Sequence, residues 1–312
     1  MGNTTESKLN EIFALILDST NQDNISILIS DCIYSLEKDK DTEGALIFQK
    51  GLSKSAFAKK SKQFNVSTFI LKMNSKFKGN YYDKNNGKTY LNKDYRPYYI
   101  WIIGEQKSIE NFSKKIDLKS LEGYKNSYYL SNNSNIKTPF HTILQKTNII
   151  GKFKPAEKGK KEITSINDLE YDNKKIQFAL AIDLSNIKVE ESYLMDKNNY
   201  KVNDGFTVES VDKVDINNME NYDFTKISTT KATHYVTISL NQDYAIQDLQ
   251  LELMNKIPKW VAESNSDDDQ DIKNQLDKTF GLTYLIGGVS EAFTMVNPKN
   301  TSYFKLKITI KK

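Results

Sequence analysis

The chain has 312 residues, a net charge of +4 and 11% aromatic residues. This length is enough for two domains with separate cores, and the aromatic content excludes an intrinsically disordered chain. Because 44 basic and 40 acidic residues nearly balance, the overall charge predicts no nucleic-acid partner. Cys32 is the only cysteine, which excludes a disulfide within the chain.

The first helix and the first strand lead to an acidic residue. Apolar residues from Leu9 to Ile16 recur at helical spacing, and the apolar run from Ile25 to Ser30 predicts a buried strand. Asp31 follows this strand directly. Because open α/β sheets bind ligands at the carboxyl ends of their strands, we expect Asp31 to end a central parallel strand at the mouth of a cleft.

Helices and strands continue to alternate through the first third of the chain. The pattern predicts one or two helices over 46–64, with Gly51 as the break between two, and a helix over 105–116. It also predicts strands over 66–73 and 96–104. The last of these strands is apolar almost throughout, which is typical of strands buried on both faces of a parallel sheet. We therefore predict that residues 1–127 form an α/β domain with an open parallel-type sheet.

A tyrosine-rich segment over 76–96 has the sequence of a β-hairpin. Its Asn86-Gly87 pair tolerates the positive φ angles that a tight turn demands. We predict that the hairpin extends from the α/β domain and exposes aromatic anchors for a partner protein. The predicted anchors are Tyr81, Tyr82 and Tyr90. The alternative is that these rings pack the hairpin against its own sheet.

The pattern changes after residue 127. Residues 128–167 are polar and are predicted to form a linker or irregular segment. Over 168–312, short alternating strands such as 248–253 and 303–310 predict an antiparallel β-sandwich. The second part of the chain is therefore expected to be a separate β domain.

Three features inside the predicted sandwich need their own explanation. A helical insert is predicted near 269–276. Trp260 is expected to fill the base of the sandwich, because tryptophan is buried on average. The pair Gly287-Gly288 is too short to form a phosphate-binding loop. We expect it to bend the final strands.

The other polar clusters lack the residues that catalysis or metal binding needs. His141 and His234 are the only histidines, and neither has a histidine, cysteine or carboxylate at ligand spacing. The carboxylates of 267–271 alternate as in a calcium loop, but Ile272 stands where that loop requires glycine. We therefore predict no catalytic residue, and Asp31 is the single candidate metal ligand.

The segment around Asp31 resembles part of a von Willebrand factor A domain, over the first third of the chain only. The matching features are the strand ending at Ser30-Asp31, the helix after it, and the Ile100 strand with its following helix. In that family a D-x-S-x-S motif, a threonine and a later aspartate hold a metal, and Asp31 matches the late aspartate. No D-x-S-x-S precedes Asp31, so the resemblance implies missing first strands and an incomplete oxygen cage for Mg²⁺.

The leading functional prediction is a non-enzymatic protein-interaction subunit of a bacterial or phage multiprotein system. Abundant Lys, Asn, Ile and Tyr beside a single arginine, Arg96, indicate an AT-rich genome. Two alternatives stay open. One is a metal-dependent hydrolase or nuclease with Asp31 as a ligand and Asp83 or Asp94 as further ligands. The other is a structural component of a phage or secretion assembly.

Location and cofactors are predicted from what the sequence lacks. It contains no recognisable secretion signal and no apolar run of membrane-spanning length. We therefore expect a cytoplasmic protein with a protein partner and no membrane partner. No cofactor is predicted, and Mg²⁺ at Asp31 is the one alternative.

Overall fold

The helices and strands of this chain are taken from a computed structural model, which describes residues 8–36, 41–131, 138–156, 162–299 and 301–311. The helices are α1 Leu9–Ser19, α2 Thr42–Ser61, α3 Gln106–Lys115, α4 Glu191–Met195, α5 Asn221–Ile227, α6 Lys259–Glu263 and α7 Leu282–Val296. The strands are β1 Ile25–Ser30, β2 Val66–Tyr82, β3 Lys88–Glu105, β4 Tyr124–Ser131, β5 His141–Ile143, β6 Lys152–Pro155, β7 Ser165–Glu170, β8 Lys175–Ile182, β9 Tyr200–Val202, β10 Phe206–Lys213, β11 His234–Asn241, β12 Leu249–Met254, β13 Asn265–Ser266, β14 Thr279–Phe280 and β15 Ser302–Ile310. Within the described ranges no helix combines the length and the apolar composition needed to cross a membrane.

The chain divides into two compact units that do not follow the predicted domain boundaries. The first unit contains 1–134 and 257–300, and the second contains 135–256 and 301–312. The predicted boundary at residue 168 is therefore wrong. The physical reason is that α7 carries an apolar face that packs into the core of the first unit, so the chain returns there before it ends.

The sheet of the first unit is antiparallel. Its strand order is β1-β3-β2-β4, and each neighbouring pair is antiparallel. The prediction of a parallel-type sheet is therefore wrong. The two middle strands are the arms of one long hairpin, and a hairpin connection makes strands antiparallel, whereas parallel strands need a crossover. The 96–104 segment is apolar for another reason: helices α1, α2 and α7 share a core with one face of the sheet, and α3 shares a core with the other.

Close packing of α2 on α7 depends on one glycine. A Cβ atom on Gly288 would lie 2.5 Å from the backbone oxygen of Lys50. Gly287 and Gly288 both lie inside α7, so the predicted bend between strands is wrong. Trp260 in α6 is buried in this same core, so its predicted place in the sandwich is also wrong. Of the helical insert predicted near 269–276, only a 3₁₀ turn at Ile272–Asn274 is present.

The second unit contains two sheets whose side chains share one apolar core. One sheet has the order β10-β11-β8-β5 and the other has the order β6-β7-β15-β12-β9. The second sheet is mixed, because β7 pairs with β15 in parallel while its other pairs are antiparallel. Three of these strands, β5, β6 and β7, begin inside the segment predicted to be a linker, so that prediction is wrong.

Candidate functional site

Asp31 lies at the end of an edge strand and not at the end of a central one. Among the described strands, β1 pairs with β3 alone, and Asp31 is exposed beyond the last residue of β1. The protein around the carboxyl group excludes enough water to raise its pKa, while the backbone N–H of Ile33 and the charge of Arg96 act in the opposite direction. The predicted position at the end of a central parallel strand is wrong, because the neighbour of β1 in the sheet is antiparallel.

A buried polar cluster lies near Asp31 in the first unit. The guanidinium of Arg96 donates from Nη1 to the backbone oxygens of Gln275 and Leu276, at 3.2 and 2.8 Å. It also lies 4.9 Å from the centre of the Tyr81 ring. Burial lowers the pKa of Arg96, and the neighbouring tyrosines and carboxylates raise it. These contacts join β3 to the segment before α7, so the cluster fixes the hairpin to its own unit.

Tyr81 belongs to this cluster and is not an exposed anchor. Its ring is 6% exposed, and its hydroxyl donates to Oδ2 of Asp269 over 2.6 Å. Oδ1 of Asp269 accepts the backbone N–H of Lys84. The predicted exposure of Tyr81 is therefore wrong, because the ring packs against the segment around Asp269 in the same unit. Tyr82 is half-buried and Tyr90 is 55% exposed.

The hairpin turn forms at the predicted Asn-Gly pair. Asn86 adopts φ +60°, and one carboxylate oxygen of Asp83 accepts the backbone N–H groups of Asn85 and Gly87, both at 2.8 Å. Asp94 accepts the backbone N–H of Asn92. Asp83 and Asp94, the further ligands of the enzyme alternative, thus stabilise local backbone. In the described part of the chain no three His, Cys, Asp or Glu side chains form a group that could hold a metal ion.

One face of the hairpin is basic and aromatic. Because side chains alternate along a strand, the face opposite Tyr81 carries every second residue of the two arms, paired across the strands by the hairpin register. We call this set the outer face: Lys76, Lys78, Asn80 and Tyr82 on β2, and Lys88, Tyr90, Asn92 and Tyr95 on β3. All except the half-buried Tyr82 are exposed, and Nζ of Lys76 lies 5.7 Å from the centre of the Tyr95 ring.

The edge strand β1 presents a second exposed feature. Ile27 is 51% exposed and Ile29 is 65% exposed, on the sheet face that α3 covers farther along. No charged residue or proline lies between Ile25 and Ser30. Among the described residues, the backbone groups of β1 have β3 as their strand partner, so the other edge of the strand is open. Natural edge strands usually carry charges, prolines or bulges that prevent pairing.

Sequence reasoning missed the exposure of these isoleucines. The apolar run Ile25–Ser30 predicts a buried strand. The signal that distinguishes the two cases is its alternation of Ile with Ser and Leu, which is typical of a strand with two different faces. Its place at the sheet edge depends on which strands pair, and the local pattern contains no information about pairing.

Both histidines lie in the second unit. His234 lies between Thr233 and Glu191, with its ring nitrogens 2.9 and 2.8 Å from their side-chain oxygens. The Thr233 hydroxyl also accepts the backbone N–H of Leu184, so these contacts join β11 to neighbouring segments. His141 lines an open groove of ≈ 470 Å³. The Lys305 ammonium in that groove is paired with Glu252 at 3.0 Å.

Comparisons with protein-family models, with curated proteins and with solved structures find no match to this chain.

Proposed function

We propose that the protein is a non-enzymatic interaction subunit of a bacterial or phage multiprotein system and that it binds a protein partner in the cytoplasm through β1. The observation that carries the proposal is the exposed pair Ile27 and Ile29 on an uncharged edge strand. A strand from a partner pairs with the open edge, and its apolar side chains cover the two isoleucines. The second unit, whose two sheets share one core, serves as a β-sandwich scaffold.

The physical argument has two parts. An edge strand offers a row of backbone donors and acceptors that a partner strand satisfies. Exposed apolar side chains gain about 25 cal/mol for each Å² that the partner removes from water. Large exposed apolar residues without neighbouring charges also favour aggregation, and a permanent partner removes that tendency.

Site-specific photocrosslinking in the native host tests the proposal. A benzoylphenylalanine at position 29 is expected to crosslink one protein species reproducibly, and the same probe at position 27 is expected to give the same species. Ile216 provides the matched control, because it is an isoleucine with 54% exposure in the second unit. Equal labelling from all three positions, or no discrete species from positions 27 and 29, would contradict the proposal.

Hydrogen exchange on the purified complex tests the mode of binding. Strand pairing is expected to protect the amides of Ile25–Ser30, because they gain hydrogen-bond partners. The double variant Ile27→Lys and Ile29→Lys is expected to keep its melting temperature, since both side chains are exposed, and to bind the partner at least tenfold more weakly. If the purified protein dimerises and this double variant is a monomer, the edge of β1 binds a second copy of the chain. That result would refute the proposal of a different partner protein.

A further inference from the structure

We propose that the outer face of the hairpin binds single-stranded nucleic acid. This site lies apart from β1 and does not rest on the proposed function. The outer face carries three lysines, Lys76, Lys78 and Lys88, and no acidic residue. It therefore concentrates positive charge that the nearly balanced composition of the whole chain does not reveal.

The cations of the outer face are available to a ligand. All three lysine side chains are exposed. Lys76 lies over the ring of Tyr95, a contact that leaves its charge uncompensated. Asp94, the carboxylate beside this face, pairs with Phe77 in the hairpin register, so it lies on the opposite face, where it accepts a backbone N–H. Charge complementarity therefore favours an anionic ligand.

The tyrosines determine which anion fits. Tyr90 and Tyr95 are 55% and 56% exposed, so their rings present surface on which a planar base stacks. Side chains on one face of a strand repeat about every 7 Å, which sets cations and rings side by side along the ribbon. Proteins that bind single strands combine these two elements, a basic track for the phosphates and aromatic rings for the bases. Exposed amides at Asn80 and Asn92 add donors and acceptors for base edges.

A duplex and an acidic polypeptide fit this face less well. Paired bases are stacked on each other, and their faces are closed to the tyrosine rings. An acidic polypeptide pairs with the lysines but has no planar group for Tyr90 and Tyr95. The observations therefore favour single-stranded nucleic acid, and the other two ligands are outcomes of the test.

Fluorescence anisotropy with a labelled oligothymidine measures the binding. We expect saturable binding of the single strand, weaker binding of the matching duplex, and weaker binding of polyglutamate. The triple variant Lys76→Gln, Lys78→Gln and Lys88→Gln is expected to reduce the slope of log K against log salt by about 2, since each phosphate contact of a single strand contributes about 0.7. The variant Lys59→Gln with Lys62→Gln, which removes two exposed charges from the α2 end of the same unit, is the control and is expected to bind as the unmodified protein does.

Two further variants separate stacking from charge. Tyr90→Ser with Tyr95→Ser is expected to weaken binding at least tenfold, and Tyr90→Phe with Tyr95→Phe is expected to keep it, because phenylalanine retains the ring. Thermal melting checks that each variant is folded. Equal loss in the Lys59 and Lys62 control, or unchanged binding in the triple lysine variant or in the tyrosine-to-serine variant, would overturn the proposal. Binding of the duplex or of polyglutamate as tight as that of the oligonucleotide would overturn it as well.

Discussion

At the residue scale, a hydrogen bond from the hydroxyl of Tyr81 stabilises the buried carboxylate of Asp269. Asp269 is 1% exposed. Burial raises its pKa, and the hydrogen bonds from Tyr81 and the backbone N–H of Lys84 act in the opposite direction. Tyr81→Phe keeps the ring beneath Arg96 and removes only the donor. We expect it to lower the free energy of unfolding by about 2 kcal/mol at pH values above the folded pKa of Asp269, where the acceptor is charged.

The pH dependence gives the sign of this effect. The variant raises the folded pKa of Asp269 further above its unfolded value, so its extra cost is small below the unfolded value and grows as pH rises through the folded value. Unfolding by denaturant at about pH 3.5 and about pH 7.5 measures the loss of stability that the variant causes at each pH. Tyr90→Phe, on an exposed ring, is the control and should leave the free energy of unfolding unchanged at both pH values. A cost that is larger at the acidic pH would contradict this account of Asp269.

At the element scale, Gly288 sets the distance between α2 and α7. A Cβ atom at that position would lie 2.5 Å from a backbone oxygen of α2, whereas one on Gly287 would lie 3.6 Å from the flexible end of the Lys50 side chain. Gly288→Ala is expected to destabilise the protein by about 1–3 kcal/mol through overpacking. Gly287→Ala is expected to be neutral or to stabilise by up to about 1 kcal/mol, because alanine is the better helix former. The gain in helix propensity is equal at both sites. The difference in unfolding free energy between the two variants therefore measures the contact of position 288 with the α2 backbone. Equal unfolding free energies would contradict this role of Gly288.

Local elements were predictable from the sequence, and their partners were not. The helix near Leu9, the strand Ile25–Ser30 and the Asn86-Gly87 turn are confirmed, because periodicity and turn chemistry are local properties. The parallel sheet was inferred from the order of helices and strands, and that order does not fix strand direction. Helix α7 was missed, since two glycines interrupt its apolar pattern.

The candidate sites show the same limit at the scale of single side chains. Three tyrosines in one hairpin predict a binding surface, but alternation and the hairpin register place Tyr81 on the face opposite to Tyr82 and Tyr90. Which face is covered depends on the segment around Asp269, which is distant in sequence and contacts the hairpin only in the folded chain. It is still a prediction that Asp31 is a metal ligand. It is also still a prediction that Tyr82 and Tyr90 are anchors for a partner protein.

At the scale of the whole molecule, the division into two units predicts that damage to one core stays local. Asp223 is fully buried in the second unit. Its carboxylate accepts the backbone N–H groups of Gln145, Lys146 and Thr147 and the hydroxyl of Thr147, at 2.7–2.9 Å. Asp223→Ala removes the acceptor of these donors, and the N–H and hydroxyl of Thr147, the buried residue among the three, cost about 1–3 kcal/mol each when they are left unsatisfied. We therefore expect a loss of at least about 2 kcal/mol in the stability of this unit.

Hydrogen exchange resolved by region distinguishes a local from a global loss in the Asp223→Ala variant. Amides of 138–156 and of β8 and β11 are expected to exchange faster, because the unit that contains them opens more often. Amides of β2 and β3, which belong to the other unit, are expected to exchange at unchanged rates. Asp243→Ala, which removes an exposed carboxylate of the second unit, is the control and should alter neither region. Equal acceleration in both units would mean that they unfold as one cooperative body, and the division into independent cores would then be wrong.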